Sequence, residues 1–171
     1  MNNRDLPKLK PWLHYSLLAV LLLTAWSVQS APDGILTVWG ISPVLLVSLI
    51  ACIGMIYGEM IGGVFGLAAG LLMDVYTTPC VGFHIVVLTA VGIGCGLIIR
   101  HLFMNNLLAS FTLILGVCLV YFVLYWLLFK VILGGGGGWV YLYRFSLSGT
   151  VYSAVFGGLF YPLLKWLHRY W

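Results

Sequence analysis

Six apolar runs, each close to the length of a bilayer crossing, follow one another with very little between them. A helix needs about 20 consecutive apolar residues to span the hydrocarbon core. The runs lie at roughly 12–28, 35–56, 58–73, 83–99, 102–129 and 145–167, with the usual boundary error of a few residues. Few other architectures accommodate such a series. Of 171 residues, 63% are hydrophobic and 12 are charged. A soluble chain of this length would carry roughly 43 charges to cover its surface. The composition therefore excludes a soluble enzyme, and equally a disordered chain, which needs low hydrophobicity and high net charge. The expected fold is an all-α integral membrane protein, a single domain over residues 1–171 built as a six-transmembrane-helix bundle.

The breaks between runs have physical causes. Ala31-Pro32-Asp33-Gly34 is a turn cluster, and Tyr76-Thr77-Thr78-Pro79 separates the third run from the fourth. Arg100-His101 divides the fourth from the fifth. The longest connection, about 130–144, holds five consecutive glycines at 134–138 and reads as a loop. The weakest break is Tyr57-Gly58-Glu59, where one kinked helix is the alternative to two. The first run follows a basic start and ends near Ser30-Ala31, as a signal peptide would, but it exceeds the 7–15 residues of a signal core and is expected to be retained.

Lys and Arg set the orientation. With six spans, Arg4, Lys8, Lys10, Arg100, Lys165 and Arg169 fall on one side and Lys130 and Arg144 on the other. Both termini are accordingly expected in the cytoplasm. Trp12, Tyr15, Tyr57, Trp166, Tyr170 and Trp171 mark the inner boundary; Trp26, Trp39, Tyr76, Trp139, Tyr141 and Tyr143 mark the outer one. No basic cluster sits on a soluble scaffold, so nucleic acid is not an expected partner.

The third run carries the most information. On a wheel of about 100° per residue, Glu59, Gly63, Gly66, Gly70 and Asp74 share one narrow face, with Gly62 and Ala69 beside it. Met60, Ile61, Val64, Phe65, Leu67, Ala68, Leu71 and Leu72 occupy the opposite arc. Small residues at this spacing let backbones approach where lipid removes the hydrophobic drive for association. Read alone, the glycines mean a tight helix contact. The two acids add either a buried partner or an interfacial position, since each lies near a helix end. They stand about 22 Å apart at helical rise, too far for an acid/base pair. Gly92 and Gly96 repeat the pattern on the fourth run, and Gly149, Ser153 and Gly157 on the sixth, so the third, fourth and sixth spans are expected to pack together. His84 is expected at the depth of Asp74 and within its reach; His14, His101 and His168 are expected at the cytoplasmic interface.

Catalytic and ligand motifs are missing from the sequence. There is no GxxxxGK[ST], HExxH or GxSxG, and Gly92-Ile93-Gly94-Cys95-Gly96 lies within a span rather than after a strand. Cys52, Cys80, Cys95 and Cys118 have no CxxC spacing; three sit in apolar runs and are expected to be buried thiols. No channel filter or charge ring is present. No cofactor or metal is expected, and no enzymatic activity.

The stretch Gly62-Gly63-Val64-Phe65-Gly66-Leu67-Ala68-Ala69-Gly70-Leu71-Leu72-Met73-Asp74-Val75, followed by Gly82, resembles the signature of the rod shape-determining protein MreD family. That family shows glycines four apart, a Gly-Leu-Leu-x-Asp ending and a glycine several residues later. The resemblance is specific over about 58–84; the other spans match no family pattern. It implies a non-enzymatic scaffold of the bacterial cytoplasmic membrane. Such a scaffold works with the MreC membrane protein, and with the MreB filament, RodA and a class B penicillin-binding protein, in lateral peptidoglycan synthesis. On this resemblance Glu59, Gly62, Gly63, Gly66, Gly70, Asp74 and Gly82 form a helix-packing or partner seam. The family's fold is similar to the substrate-binding subunit of energy-coupling factor transporters, which supplies the alternative function. Those subunits dock through an Ala-x-x-x-Ala motif on the first span. Here Leu23 follows Ala19 at four and Gln29 follows Ala25, so the motif is absent.

Overall fold

A computed structural model describes residues 11–30, 44–77, 82–102, 107–128 and 147–168. The turn at 31–34, Cys80, the glycine run at 134–138, the terminal bases, and the boundary aromatics at 39, 139, 141, 143, 170 and 171 lie outside these residues. The described residues form six helices: α1 (Pro11–Gln29), α2 (Leu45–Tyr57), α3 (Glu59–Thr77), α4 (Phe83–Leu102), α5 (Leu107–Trp126) and α6 (Leu147–His168). Among the described residues there is no strand. Each helix falls on one of the apolar runs. Among the described residues two stretches suffice by length and composition to cross a membrane, Trp12–Gln29 and Phe83–His101; Leu45–Tyr57 and Ser110–Trp126 are shorter apolar helices.

The join at Gly58 is a break between two helices. Its backbone sits at φ 90°, ψ 175°, and its N–H donates to the Gly54 carbonyl at 3.0 Å, closing α2. Side chains essentially never adopt that backbone geometry, and no atom lies within 4 Å of where a Cβ would stand. The glycine is thus required by conformation rather than by space. Gly58→Ala should lower the stability of the bundle by about 1–3 kcal/mol, read by thermal or denaturant unfolding. No loss would mean that α2 and α3 can meet in an ordinary geometry.

The core is organised around α2. Every residue of α2 except Ile56 is buried, and α2 packs against α1, α3, α4, α5 and α6. A helix apolar all round belongs in such a place. α1 lies at the edge, against α2 and α3, and buries one stripe of His14, Leu18, Leu22 and Ala25 at helical spacing. The expectation that the third, fourth and sixth spans pack together is half right. α3 and α4 form the most extensive pair in the bundle, but α6 stands on α2 and α5. Its small residues serve that contact: a Cβ on Gly157 would lie 2.7 Å from Ile114 and 3.2 Å from Ser48. One on Gly149 would lie 2.6 Å from Phe122, and Ser153 Oγ accepts the Val44 N–H at 2.9 Å. With α2 filling the centre, α6 has no route to the α3–α4 pair.

The outer surface is apolar. Met60, Val64, Val75, Val86 and Leu159 are each at least two-thirds exposed. Two apolar grooves run along it. One, of about 410 Å³, separates α1 from α3 and is lined by Ala19, Leu23, Phe65, Ala68 and Leu71 among others. The second, of about 340 Å³, separates α4 from α5.

Candidate functional site

The sequence-expected seam lies where α3 meets α4, and its glycines are there because backbone meets backbone. A Cβ on Gly62 would stand 2.6 Å from the Gly54 Cα and 2.7 Å from the Gly92 carbonyl oxygen. α2, α3 and α4 therefore cross at three glycines. One turn on, a Cβ on Gly66 would meet the Leu88 carbonyl group, 2.9 Å from its carbon, and the Thr89 Cα at 3.1 Å. On Gly70 it would meet the His84 carbonyl oxygen and the Ile85 nitrogen, both at 2.7 Å. From the α4 side, a Cβ on Gly96 would come within 2.5 Å of the Glu59 nitrogen. Real Cβ contacts do not come this close, so any side chain at these positions pushes the helices apart.

The contact face is turned slightly from the one the wheel centres on. Gly62, expected at the flank, is in one of the tightest places, with the fully buried Ala69 two turns further on. Gly63, expected on the centre line, faces the Ile93 side chain, whose Cγ1 lies 2.9 Å from a Cβ placed there. A side chain can rotate away, so Gly63 is the least constrained glycine of the set. The bulky arc divides correspondingly. Met60, Val64, Leu67 and Leu71 point outward, while Ile61, Phe65 and Leu72 pack against the core.

The two acids sit at opposite ends of the seam and do different things. Asp74 is buried and its carboxylate is enclosed by donors from the start of α4. Oδ2 accepts the N–H groups of Gly82 at 2.9 Å and Ile85 at 3.3 Å. Oδ1 accepts the His84 N–H at 3.2 Å and the His84 Nδ1–H at 2.8 Å. The first turn of a helix leaves its N–H groups without intrahelical partners, and an acceptor there also suits the helix dipole. Normally the capping residue's own side chain supplies that acceptor. Here the capping position is Gly82, whose φ of 108° excludes most side chains and whose carbonyl accepts the Val86 N–H at 3.1 Å. Asp74 supplies from α3 the acceptor that Gly82 lacks. Asp74 and Gly82 are thus two halves of one cap, which explains why an acid at the end of the seam is followed by a glycine. The His84 ring is also buried, among Phe83, Tyr121 and Tyr125 with centroids 5.2–6.5 Å away, which ties the cap to α5.

Glu59 opens α3, where a carboxylate suits the helix dipole, and Arg100 Nη1 donates to its Oε1 at 2.6 Å. The Arg100 side chain is 70% exposed, so the pair is screened and contributes little. Glu59→Gln should leave the melting temperature unchanged within error at moderate salt. A clear drop would mean that the pair is held in a far less polar setting than its exposure implies.

Two further features bear on the sequence expectations. Cys52, Cys95 and Cys118 are buried free thiols, as anticipated from their apolar runs. His14 departs from expectation: placed at the cytoplasmic interface by the sequence, it is fully buried, with Nε2 2.8 Å from the Tyr57 hydroxyl. His168 stands edge-on to the same Tyr57 ring at 5.0 Å. The signal for His14 was its place on the i, i+4 stripe with Leu18 and Leu22. His101, by contrast, is exposed near the end of α4, bonded to the Leu97 carbonyl at 2.9 Å. Among the described residues no three His, Cys, Asp or Glu side chains converge as a metal site. Comparison of the chain with protein-family models, curated proteins and solved structures gives no match.

Proposed function

We propose that this chain is a non-enzymatic scaffold of the bacterial cell-elongation machinery. In this reading all six helices cross the cytoplasmic membrane with both termini in the cytoplasm. The scaffold engages an MreC-type membrane protein and, with it, the MreB filament, RodA and a class B penicillin-binding protein, so regulating cell shape and lateral peptidoglycan synthesis. One observation carries the proposal. The stretch that resembles the MreD signature is a single physical device: glycines 62, 66 and 70 bring α3 onto the α4 backbone, and Asp74 with Gly82 caps α4. The membrane setting is supported by the outward surface, where Met60, Val64, Leu67, Leu71 and Val75 form a continuous apolar strip along α3. Patches of this kind mark contact with lipid or with other apolar helices.

In this reading the α3–α4 pair is a stiff strut and its outer face is offered to partner helices. The test is affinity purification of the full chain from bacterial membranes. Recovery of an MreC-type protein with it, and loss of rod shape on depletion of the chain, are the expected results. Repeated failure to recover that partner, together with tight binding of a water-soluble vitamin, would overturn the scaffold in favour of a transporter subunit.

A further inference from the structure

The outer face of the α3–α4 pair is wider than the strip on α3 alone. On α3, Met60, Val64, Leu67 and Leu71 are exposed at steps of four, three and four residues. On α4, Val86, Ala90, Ile93 and Leu97 are exposed at the same steps. The two rows lie side by side, because a Cβ on Gly63 of α3 would stand 2.9 Å from Ile93 Cγ1 of α4. Steps of four and three are the spacing at which one helix keeps a line of contact along another. Both rows end at one charged pair. Arg100 follows Leu97 by three residues, and its Nη1 donates to Oε1 of Glu59, the residue before Met60. The Arg100 side chain is nevertheless 70% exposed and that of Glu59 29%.

We propose that this face binds a second copy of the chain, the two copies forming a two-fold dimer through α3 and α4. With the axis along the membrane normal and through the middle of the face, α3 of each copy lies on α4 of the other. The four helices then pack antiparallel, in the manner that rows at this spacing favour. The same axis carries Arg100 of each copy toward Glu59 of the other. An interface related by a two-fold axis must be complementary to itself. A face that ends in an acid and a base at one level meets that condition, since each copy supplies the charge that the other's requires.

Among the described residues the other exposed faces lack such a pair. α1 and α5 contain no Asp, Glu, Lys or Arg, and α6 contains only Lys165 of these. Within lipid, close packing holds helices together, and charge selects the partner and fixes the register. The inference rests on the membrane setting proposed above, and it identifies the helices seated on that outer face as those of a second copy.

The test is energy transfer between donor- and acceptor-labelled full chains, purified and diluted into liposomes of phosphatidylethanolamine and phosphatidylglycerol. Wild-type copies should transfer energy. Val64→Trp, which sets a bulky ring in the α3 row, should weaken association about tenfold. Val151→Trp, on the exposed side of α6, should associate as the wild type does. Charge reversal separates contact between copies from the pair within one copy. Glu59→Arg chains alone, and Arg100→Glu chains alone, should each associate about tenfold less tightly. Mixed together, the two variants present opposite charges to each other and should regain wild-type association. A pair acting only within one chain gives no such recovery. Absence of transfer in the wild type overturns the dimer. So does a mixture no tighter than its components, or equal behaviour of the two tryptophan variants. If Val64→Trp fails to accumulate, the charge-reversed chains decide. Flotation with the liposomes reads the membrane setting separately. A chain that floats without pairing overturns the dimer alone; one that does not float overturns the setting with it.

Discussion

Gly66→Leu is expected to cost the bundle about 3 kcal/mol or more, enough to prevent stable accumulation in the cell. A side chain there meets the Leu88 carbonyl and the Thr89 Cα, which are backbone and cannot rotate aside. The α3 and α4 axes must separate, and the strain reaches Gly62 and Gly92, where the same two helices touch α2. Packing lost in that way has no hydrophobic replacement if the surroundings are lipid. Gly94→Leu is the matching control. Gly94 is on the same helix pair but faces the groove between α4 and α5, and no atom lies within 4 Å of its missing Cβ. It should accumulate normally and unfold within about 0.5 kcal/mol of the wild type. Equal behaviour of the two variants, measured by cellular abundance and thermal unfolding of the purified chain, would remove the argument for a backbone-to-backbone seam.

Asp74→Ala should have the second large effect, a loss of about 3 kcal/mol. Three backbone N–H groups and the Nδ1–H of a buried histidine would lose their acceptor together. Asp74→Asn keeps the shape and one acceptor oxygen but presents an amide to donors, so it should recover only part of the loss. A double-mutant cycle with His84→Ala separates the cap from the imidazole contact. Coupling of about 1 kcal/mol or more is expected for groups in direct buried contact. Additive effects would show that the 2.8 Å contact between Asp74 and His84 contributes nothing beyond the cap.

These variants also bear on the two acids, which the sequence leaves alike. Both lie near ends of one helix, and their spacing on the wheel is almost the same. Burial divides them: Asp74 is buried and bonded to donors from the start of α4, while Glu59 shares an exposed pair with an arginine. An acid that spans helices to cap a neighbour cannot be recognised from its own helix, because the donors it serves belong to residues 82–85.

What the sequence determined by itself follows from local chemistry. The existence and order of the helices among the described residues are legible because each run is mostly apolar and bounded by glycine, proline or charge. The break at Gly58 is legible as a possibility, and the glycine face of α3 is legible to within a fraction of a turn. What only the tertiary structure decided is which apolar helix becomes the core. α2 and α5 are both apolar on every side, yet α2 is buried at every residue but Ile56 while Val120 of α5 is 54% exposed. Hydrophobic burial has no direction, so two such helices are interchangeable until shape chooses between them. In the packing found, Gly54 of α2 is where the Gly62 and Gly92 backbones come closest to that helix: a Cβ on Gly62 would stand 2.6 Å from the Gly54 Cα. The same centring of α2 keeps α6 away from α3 and brings both His14 and His168 against Tyr57. Periodicity orients a side chain on its own helix; which neighbour it meets depends on how the helices are stacked.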